Sequence, residues 1–268
     1  MRDSWQSGDA YEYFMGRWSR LVARSFLKWL SPESGLRWLD VGCGSGALSE
    51  AIVKDYAPAE LTAIDQSQGF VDMAQRRLRG LASRRVGDAL ALPLDDSTVD
   101  VTVSGLVLNF IPEQARALAE MMRVTAPGGT VATYVWDYAG QMDFLRIFWD
   151  TVVELNPDAS SLHEASRFAD SSAEVLRDSF QRAGFEEIDT APMDIVTEFR
   201  DFEDYWEPFL GGQGPAPTYL LSLGDTERDE LRSLLYNRLP IQADGSIPMT
   251  ARAWAVKGMP YSRKSLQC

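Results

Sequence analysis

Apolar residues recur at helical spacing at Phe14, Trp18, Leu21, Val22, Phe26, Trp29 and Leu30, which predicts an amphipathic helix from Tyr11 to Leu30, stopped by Ser31-Pro32. The pattern then changes period. "LRWLDVG" is short and largely apolar, as expected of a strand buried on both faces of a parallel sheet, and "ALSEAIVKDY" after it is helical. "ELTAID" predicts a second strand, and "SQGFVDMAQRRLRGL" a second helix of this alternating series with Ser67 as its N-cap. "ASRRVGDA" gives a short third strand, and the β-branched run "VDVTVSGLVL" a central fourth. "IPEQARALAEMMRVT" is a helix that "APGG" should stop, and "TVATYVW" a fifth strand.

Strands alternating with helices at this pace predict an α/β fold, a Rossmann-like, seven-stranded, mostly parallel sheet with helices on both faces. Beyond Trp136 the pattern loosens. Helices are expected in "MDFLRIFWDTVVEL", "SSAEVLRDSFQRAGF" and "ERDELRSLLYNRL", with long strands in "EEIDTAPMDIVTEF" and "SIPMTARAWAVKG". Those two strands suggest a C-terminal antiparallel hairpin whose connection has grown into a helical cap insertion. The segments are then 1–35 (N-terminal helix), 36–137 (core), 138–260 (remaining sheet and cap) and 261–268 (a frayed tail).

Composition narrows the partners. A formal net charge of −13 over 268 residues, with a sequence pI of about 4.6, makes nucleic acid and anionic membranes poor partners. No apolar run reaches membrane-span length, the N-terminus lacks a signal-peptide core, and the two cysteines, Cys43 and Cys268, suggest no disulfide framework, so a cytoplasmic setting is expected. With His163 as the single histidine, a multi-histidine metal site is excluded.

Chemistry concentrates at the strand ends. In "LDVGCGSG", Gly42, Gly44 and Ala47 formally satisfy the dinucleotide-binding turn, and Asp65 lies at the distance of its ribose-binding acid, so a nicotinamide cofactor stays open on the turn alone. Asp40, two residues before the first glycine, is costly in a buried strand unless it faces a ligand or ties down the loop. Taken in order, "LDVGCGSG", "AID", "GDALALPLDDSTVD" and "RVTAPGGTV" resemble the class I S-adenosylmethionine-dependent methyltransferases, especially the small-molecule branch of ubiquinone/menaquinone C-methyltransferases. The resemblance is strong from Leu36 to Trp136.

That resemblance implies S-adenosyl-L-methionine as cofactor. Gly42, Cys43 and Gly44 would border its methionine and ribose parts, with Asp40 just before them as part of that site; Asp65 would hold the ribose hydroxyls, Gln66 would border the adenine, and Asp88 with the backbone of Ala89 would read the adenine edge. Ser104 and Leu106 would lie near the methionine tail. "YEYFMGRWSRLV" resembles an N-terminal segment that lies over the cofactor, with Tyr13 closing on it and Arg17 pairing with its carboxylate. Methyl transfer needs little covalent chemistry from the protein, so a missing catalytic triad is no objection.

An acceptor that loses a proton would need a base, for which Asp137 and His163 are the candidates. Asn109, Phe110, Trp136, Tyr138, Trp206 and Phe209 are the candidate substrate contacts, under a glycine- and proline-rich, aromatic lid, "FEDYWEPFLGGQGPAPTY". A small, largely apolar or aromatic acceptor is expected. A cofactor-binding protein without methyl transfer, a nicotinamide-dependent oxidoreductase, and another use of the sulfonium cofactor remain the alternatives.

Overall fold

The computed structural model describes residues 12–169, 171–211 and 214–261. Tyr11 and most of the expected frayed tail lie outside the described residues. Five parallel strands form the heart of the chain: β1 (Arg37–Val41), β2 (Glu60–Asp65), β3 (Ser83–Val86), β4 (Val99–Gly105) and β5 (Thr125–Trp136). β6 (Phe185–Phe199) and β7 (Ile247–Pro260) complete a seven-stranded sheet of order β3-β2-β1-β4-β5-β7-β6, mixed through its antiparallel C-terminal pair. β1 and β4 lie inside the sheet, paired on both sides, and are buried along almost their whole length.

Helices α1 (Arg17–Leu30), α2 (Ala47–Tyr56), α3 (Gln68–Leu78) and α4 (Gln114–Val124) fall within the expected helical segments. Ser67 caps α3, its hydroxyl accepting from the Phe70 amide. The chain before α1 differs: Glu12–Gly16 is a π-helical turn, so the expected single helix is wound two ways.

"APGG" does not stand between α4 and β5 as a turn. β5 starts at Thr125, and the register shifts from Val99↔Thr125 to Val101↔Thr130, so the strand bulges through these four residues. Gly128 has φ +81°, and a Cβ on Gly129 would lie 2.5 Å from the Asp100 carbonyl, so both glycines are set by the bulge.

Packing divides the chain into two units. The sheet unit holds Val22–Val135, Ser172–Met193 and the chain from Ala253. On one face, Leu118, Met121 and Val124 of α4 and Leu176 and Phe180 of α7 (Ala173–Ala183, following α5 and α6 below) share a core with Leu39, Ile64, Val131 and Val256. That shared core is why residues 172–193 pack with the sheet, although the sequence pattern sets a boundary after residue 137.

The second unit comprises the chain to Leu21, Trp136–Ser171 and Asp194–Arg252. It contains α5 (Asp143–Leu155), α6 (Glu164–Arg167), α8 (Phe202–Trp206), α9 (Pro215–Ser222) and α10 (Asp225–Arg238). Its core is aromatic. Phe148 and Phe209 stack with centroids 4.6 Å apart, Phe14 meets Phe209 edge-on at 5.1 Å, and Tyr205 lies 5.2 Å from Phe209. The segment expected as a lid is largely helical, as α8, a 3-10 turn over Glu207–Gly211, and α9, with Trp206, Phe209 and Tyr219 buried. Phe202, Tyr205, Trp206 and Phe209 are spaced by three and four, a helical period that outweighs the surrounding glycines and prolines.

Candidate functional site

The carboxyl ends of β1, β2 and β4 converge on the glycine turn. Gly42 has φ +72°, and a Cβ there would come within 2.7 Å of the Val107 side chain, so glycine is required both by conformation and by the loop packed against it. The amides of Gly42 and Cys43 both donate to the Ile64 carbonyl, at 2.7 and 2.9 Å, and the Gly44 amide donates to Asp65 Oδ2 at 2.9 Å. The turn's own donors are thus directed into the protein. What remains open is the face of Gly44, with φ +52°, where a Cβ would meet nothing within 4 Å.

Asp40 is completely buried. Its Oδ2 accepts from the Ser49 hydroxyl of α2 at 2.6 Å, while Oδ1 is buried with no partner. Burial, with the nearby Asp65 charge adding to it and the Ser49 hydrogen bond opposing it, pushes the carboxyl up to about 7. Burial also pushes the Cys43 thiol up, so it stays protonated as a small apolar wall of the turn.

Asp65 ends β2 and is 8% exposed. Burial raises its pKa, while the amides of Ser67, at 2.9 Å from Oδ1, and Gly44 oppose that rise. Two accepted amides leave a carboxylate with about two further acceptor sites, in a fixed orientation. Gln66 beside it is exposed. Asp88 is also exposed, its Oδ1 accepting from the Leu90 amide in a tight turn that carries Ala89, and the Gly87 amide donates to the Asp65 carbonyl, tying this turn to the end of β2.

At the end of β4, the buried Ser104 hydroxyl donates to the Val41 carbonyl at 2.8 Å and locks β4 to β1. Leu106 follows with φ +63°, a left-handed conformation that costs a non-glycine residue about 1–3 kcal/mol and concentrates at functional sites. Its amide donates to the Tyr134 carbonyl at 2.8 Å, which holds the strained residue in place. Asn109 lies in the 3-10 turn Leu108–Phe110. Both atoms of its carboxamide are buried and neither has a partner. Phe110 is exposed.

The remaining candidates belong to the helical unit. Arg17 Nη1 pairs with Asp204 Oδ2 at 2.9 Å, and its guanidinium lies over the rings of Trp18 and Phe199, at 4.3 and 4.6 Å. Burial acts to raise the Asp204 pKa, but the bonds from Arg17 and from the Arg200 amide and side chain outweigh it and hold the carboxyl below its usual range. Tyr13 donates to Glu207 Oε2 at 2.9 Å. Asp137 accepts from the amides of Gly140 and Gln141, at 2.9 and 3.2 Å, and so fastens the turn after β5. His163 Nδ1 accepts from the Ala165 amide at 3.0 Å, Nε2 lies 3.2 Å from Asp150 Oδ1, and the ring stacks on Trp149. Tyr138 packs on Phe168, and Trp206 on Phe202; both are buried, as is Trp136.

Ser49, Val107, Asp204 and Glu207 carry this geometry and were not singled out from sequence. Ser49 was legible as a polar residue on the apolar face of α2, beside Leu48 and Ile52. Asp204 and Glu207 are acids inside an aromatic run.

Residues 39–133 match a family described as a methyltransferase domain. The demethylmenaquinone methyltransferase of Lactobacillus johnsonii is 26% identical over 183 residues, spanning 62% of this chain and 74% of that protein. That of Staphylococcus aureus is 27% identical over 172 residues, spanning 59% and 71%. Among solved structures, the Haemonchus contortus phosphoethanolamine N-methyltransferase 2 in complex with S-adenosyl-L-methionine superposes with a TM-score of 0.58 at 18% identity, over 95% of this chain and 57% of that one.

Proposed function

Given a chain that is an S-adenosylmethionine-dependent methyltransferase resembling the demethylmenaquinone enzymes, we propose that it methylates a small, largely apolar or aromatic acceptor at the carboxyl edge of its sheet. The observation that carries the cofactor assignment is Asp65. Its carboxylate is pinned by two amides beside the open face of Gly44, with acceptor capacity to spare. The buried, unpartnered Oδ1 of Asp40 fits the same conclusion, since such an atom is stabilised by a positively charged ligand.

Asp65 accepts the two ribose hydroxyls, Gln66 borders the adenine, and Asp88 with the Ala89 backbone reads its edge. Gly42, Cys43 and Gly44 wall the ribose and methionine parts. Leu106 directs the chain beyond β4 toward the methionine tail, and Ser104 fixes β4 against β1 so that this edge does not shift. When bound, the cofactor supplies an electrophilic methyl group on positively charged sulfur. The protein's part is to hold the acceptor in line and keep water out, and such positioning supplies on the order of 7–11 kcal/mol. Asn109 and Phe110 are the acceptor contacts of the sheet unit; Trp136, Tyr138, Trp206 and Phe209, the other candidates, are buried in the aromatic core of the helical unit. Asp137 and His163, each of which accepts from backbone amides, are the candidate bases for an acceptor that loses a proton.

Calorimetric titration with S-adenosylhomocysteine, S-adenosylmethionine and NAD tests the cofactor. Both sulfur ligands should bind and NAD should not; tight NAD binding with no response to either would overturn the assignment. Asp65→Ala should weaken S-adenosylhomocysteine by about 10- to 150-fold, the loss of charge-assisted hydrogen bonds worth about 1.5–3 kcal/mol. A labelled-methyl screen of small aromatic compounds, protein and RNA tests the acceptor, and label in protein or RNA would exclude the small-molecule reading.

A further inference from the structure

We propose that Asn109 is the polar recognition group for the acceptor, and that the acceptor carries a hydrogen-bond donor and a hydrogen-bond acceptor on adjacent atoms, as an ortho-dihydroxy ring does. The inference rests on the small aromatic acceptor proposed above and specifies its polar edge. Other side chains have a single orphaned atom, such as the indole nitrogens of Trp18 and Trp38. Among the described residues Asn109 alone has two buried, unpartnered polar atoms, a donor and an acceptor on separate atoms.

A buried amide without partners is unfavourable at each end, and native proteins retain few of them. A carboxamide holds its oxygen and its NH₂ side by side in one plane, so the ligand that satisfies both at once offers the complementary pair on neighbouring atoms. The position agrees with this role. Asn109 lies four residues past the last residue of β4, beyond the left-handed Leu106 and beyond Val107, whose side chain packs on Gly42. It therefore sits on the loop that abuts the glycine turn, at the edge where open α/β sheets bind ligands. In the complex, Oδ1 accepts the hydroxyl proton of one ring substituent and Nδ2 donates to the oxygen of its neighbour. The ring itself is left to apolar contacts.

The test uses the full chain saturated with S-adenosylhomocysteine and three probes, catechol, phenol and 1,2-dimethoxybenzene, titrated by ligand-observed NMR. Catechol should bind best. Asn109→Leu, close in size and without polar atoms, should lower catechol affinity by at least about tenfold, lower that of dimethoxybenzene, which has no proton to donate to Oδ1, clearly less, and leave S-adenosylhomocysteine affinity within about twofold. Its thermal midpoint should equal or exceed that of the parent, because two unpaired polar groups are removed. An unchanged ratio of catechol to dimethoxybenzene affinity would overturn the assignment of Asn109 while leaving the aromatic reading intact. A lowered midpoint with lost S-adenosylhomocysteine binding would make Asn109 structural and overturn it as well. If none of the three rings binds the parent protein, the aromatic reading itself fails, and the inference with it.

Discussion

A carboxyl group sealed from solvent with one hydroxyl as its partner keeps its proton to unusually high pH, and Asp40 is held so at about 7 against an ordinary 3.8. Between those two values the folded chain binds more protons than the unfolded one, so stability declines as pH rises through this window and is fully reduced above it, by about 4 kcal/mol. Asp40→Asn should therefore unfold at higher denaturant than the parent at pH 8, and the gap should narrow by roughly 3 kcal/mol on going to pH 5. A gap that is constant with pH would show that Asp40 does not titrate there. The neighbouring glycines make a paired test. Gly42→Ala meets Val107 and should cost about 2–3 kcal/mol of stability, whereas Gly44→Ala has room and should cost about 1 kcal/mol while sharply weakening S-adenosylhomocysteine. Equal effects of the two on unfolding and on binding would remove the distinction. Asp40 was legible in sequence as an acid where acids are expensive. That Ser49, legible only as a polar residue on the apolar face of α2, would meet it was not, because which face of α2 meets β1 depends on the turn between them.

At the level of elements, the alternation of apolar strands and amphipathic helices up to Trp136 leaves little freedom, and the strands and helices of that half follow it closely. Two segments depart from their composition. "APGG" joins a strand because the sheet's ladder resumes beyond it, and the aromatic run after Phe199 is helical because burying Phe202, Tyr205, Trp206 and Phe209 on one side outweighs local propensity. The π-helical turn and α1 are held to α8 by Arg17, which reaches Asp204 across 187 residues. Asp204→Asn leaves that guanidinium with a neutral partner and should lower stability by about 2 kcal/mol, measured by denaturant unfolding. Because Asp204 is ionised well into the acid range, the loss should be greatest at neutral pH and should shrink as pH falls and the parent's own carboxyl takes up a proton. A loss that persists undiminished in acid would assign the effect to packing instead.

Across the whole molecule, the seven-stranded, mostly parallel sheet with its antiparallel C-terminal pair was legible because strands alternating with helices favour right-handed crossovers. The grouping of residues 172–193 with the sheet was not, since it rests on Leu176, Phe180 and Phe185 meeting a core assembled far away in sequence. The net charge of −13 acts on the fold as a whole by self-repulsion. Raising salt from about 0.01 to 0.15 M shortens the screening length from about 30 to 8 Å, so the unfolding midpoint at pH 8 should rise over that range; a fall would mean that attractive ion pairs dominate. Among the described residues no helix is long and apolar enough to cross a membrane. The glycine turn has a consequence for kinetics as well. With the amides of Gly42, Cys43 and Gly44 already bonded to Ile64 and Asp65, the turn is preorganised before any ligand arrives, and slow deuterium exchange at these three amides marks the folded protein rather than its occupancy.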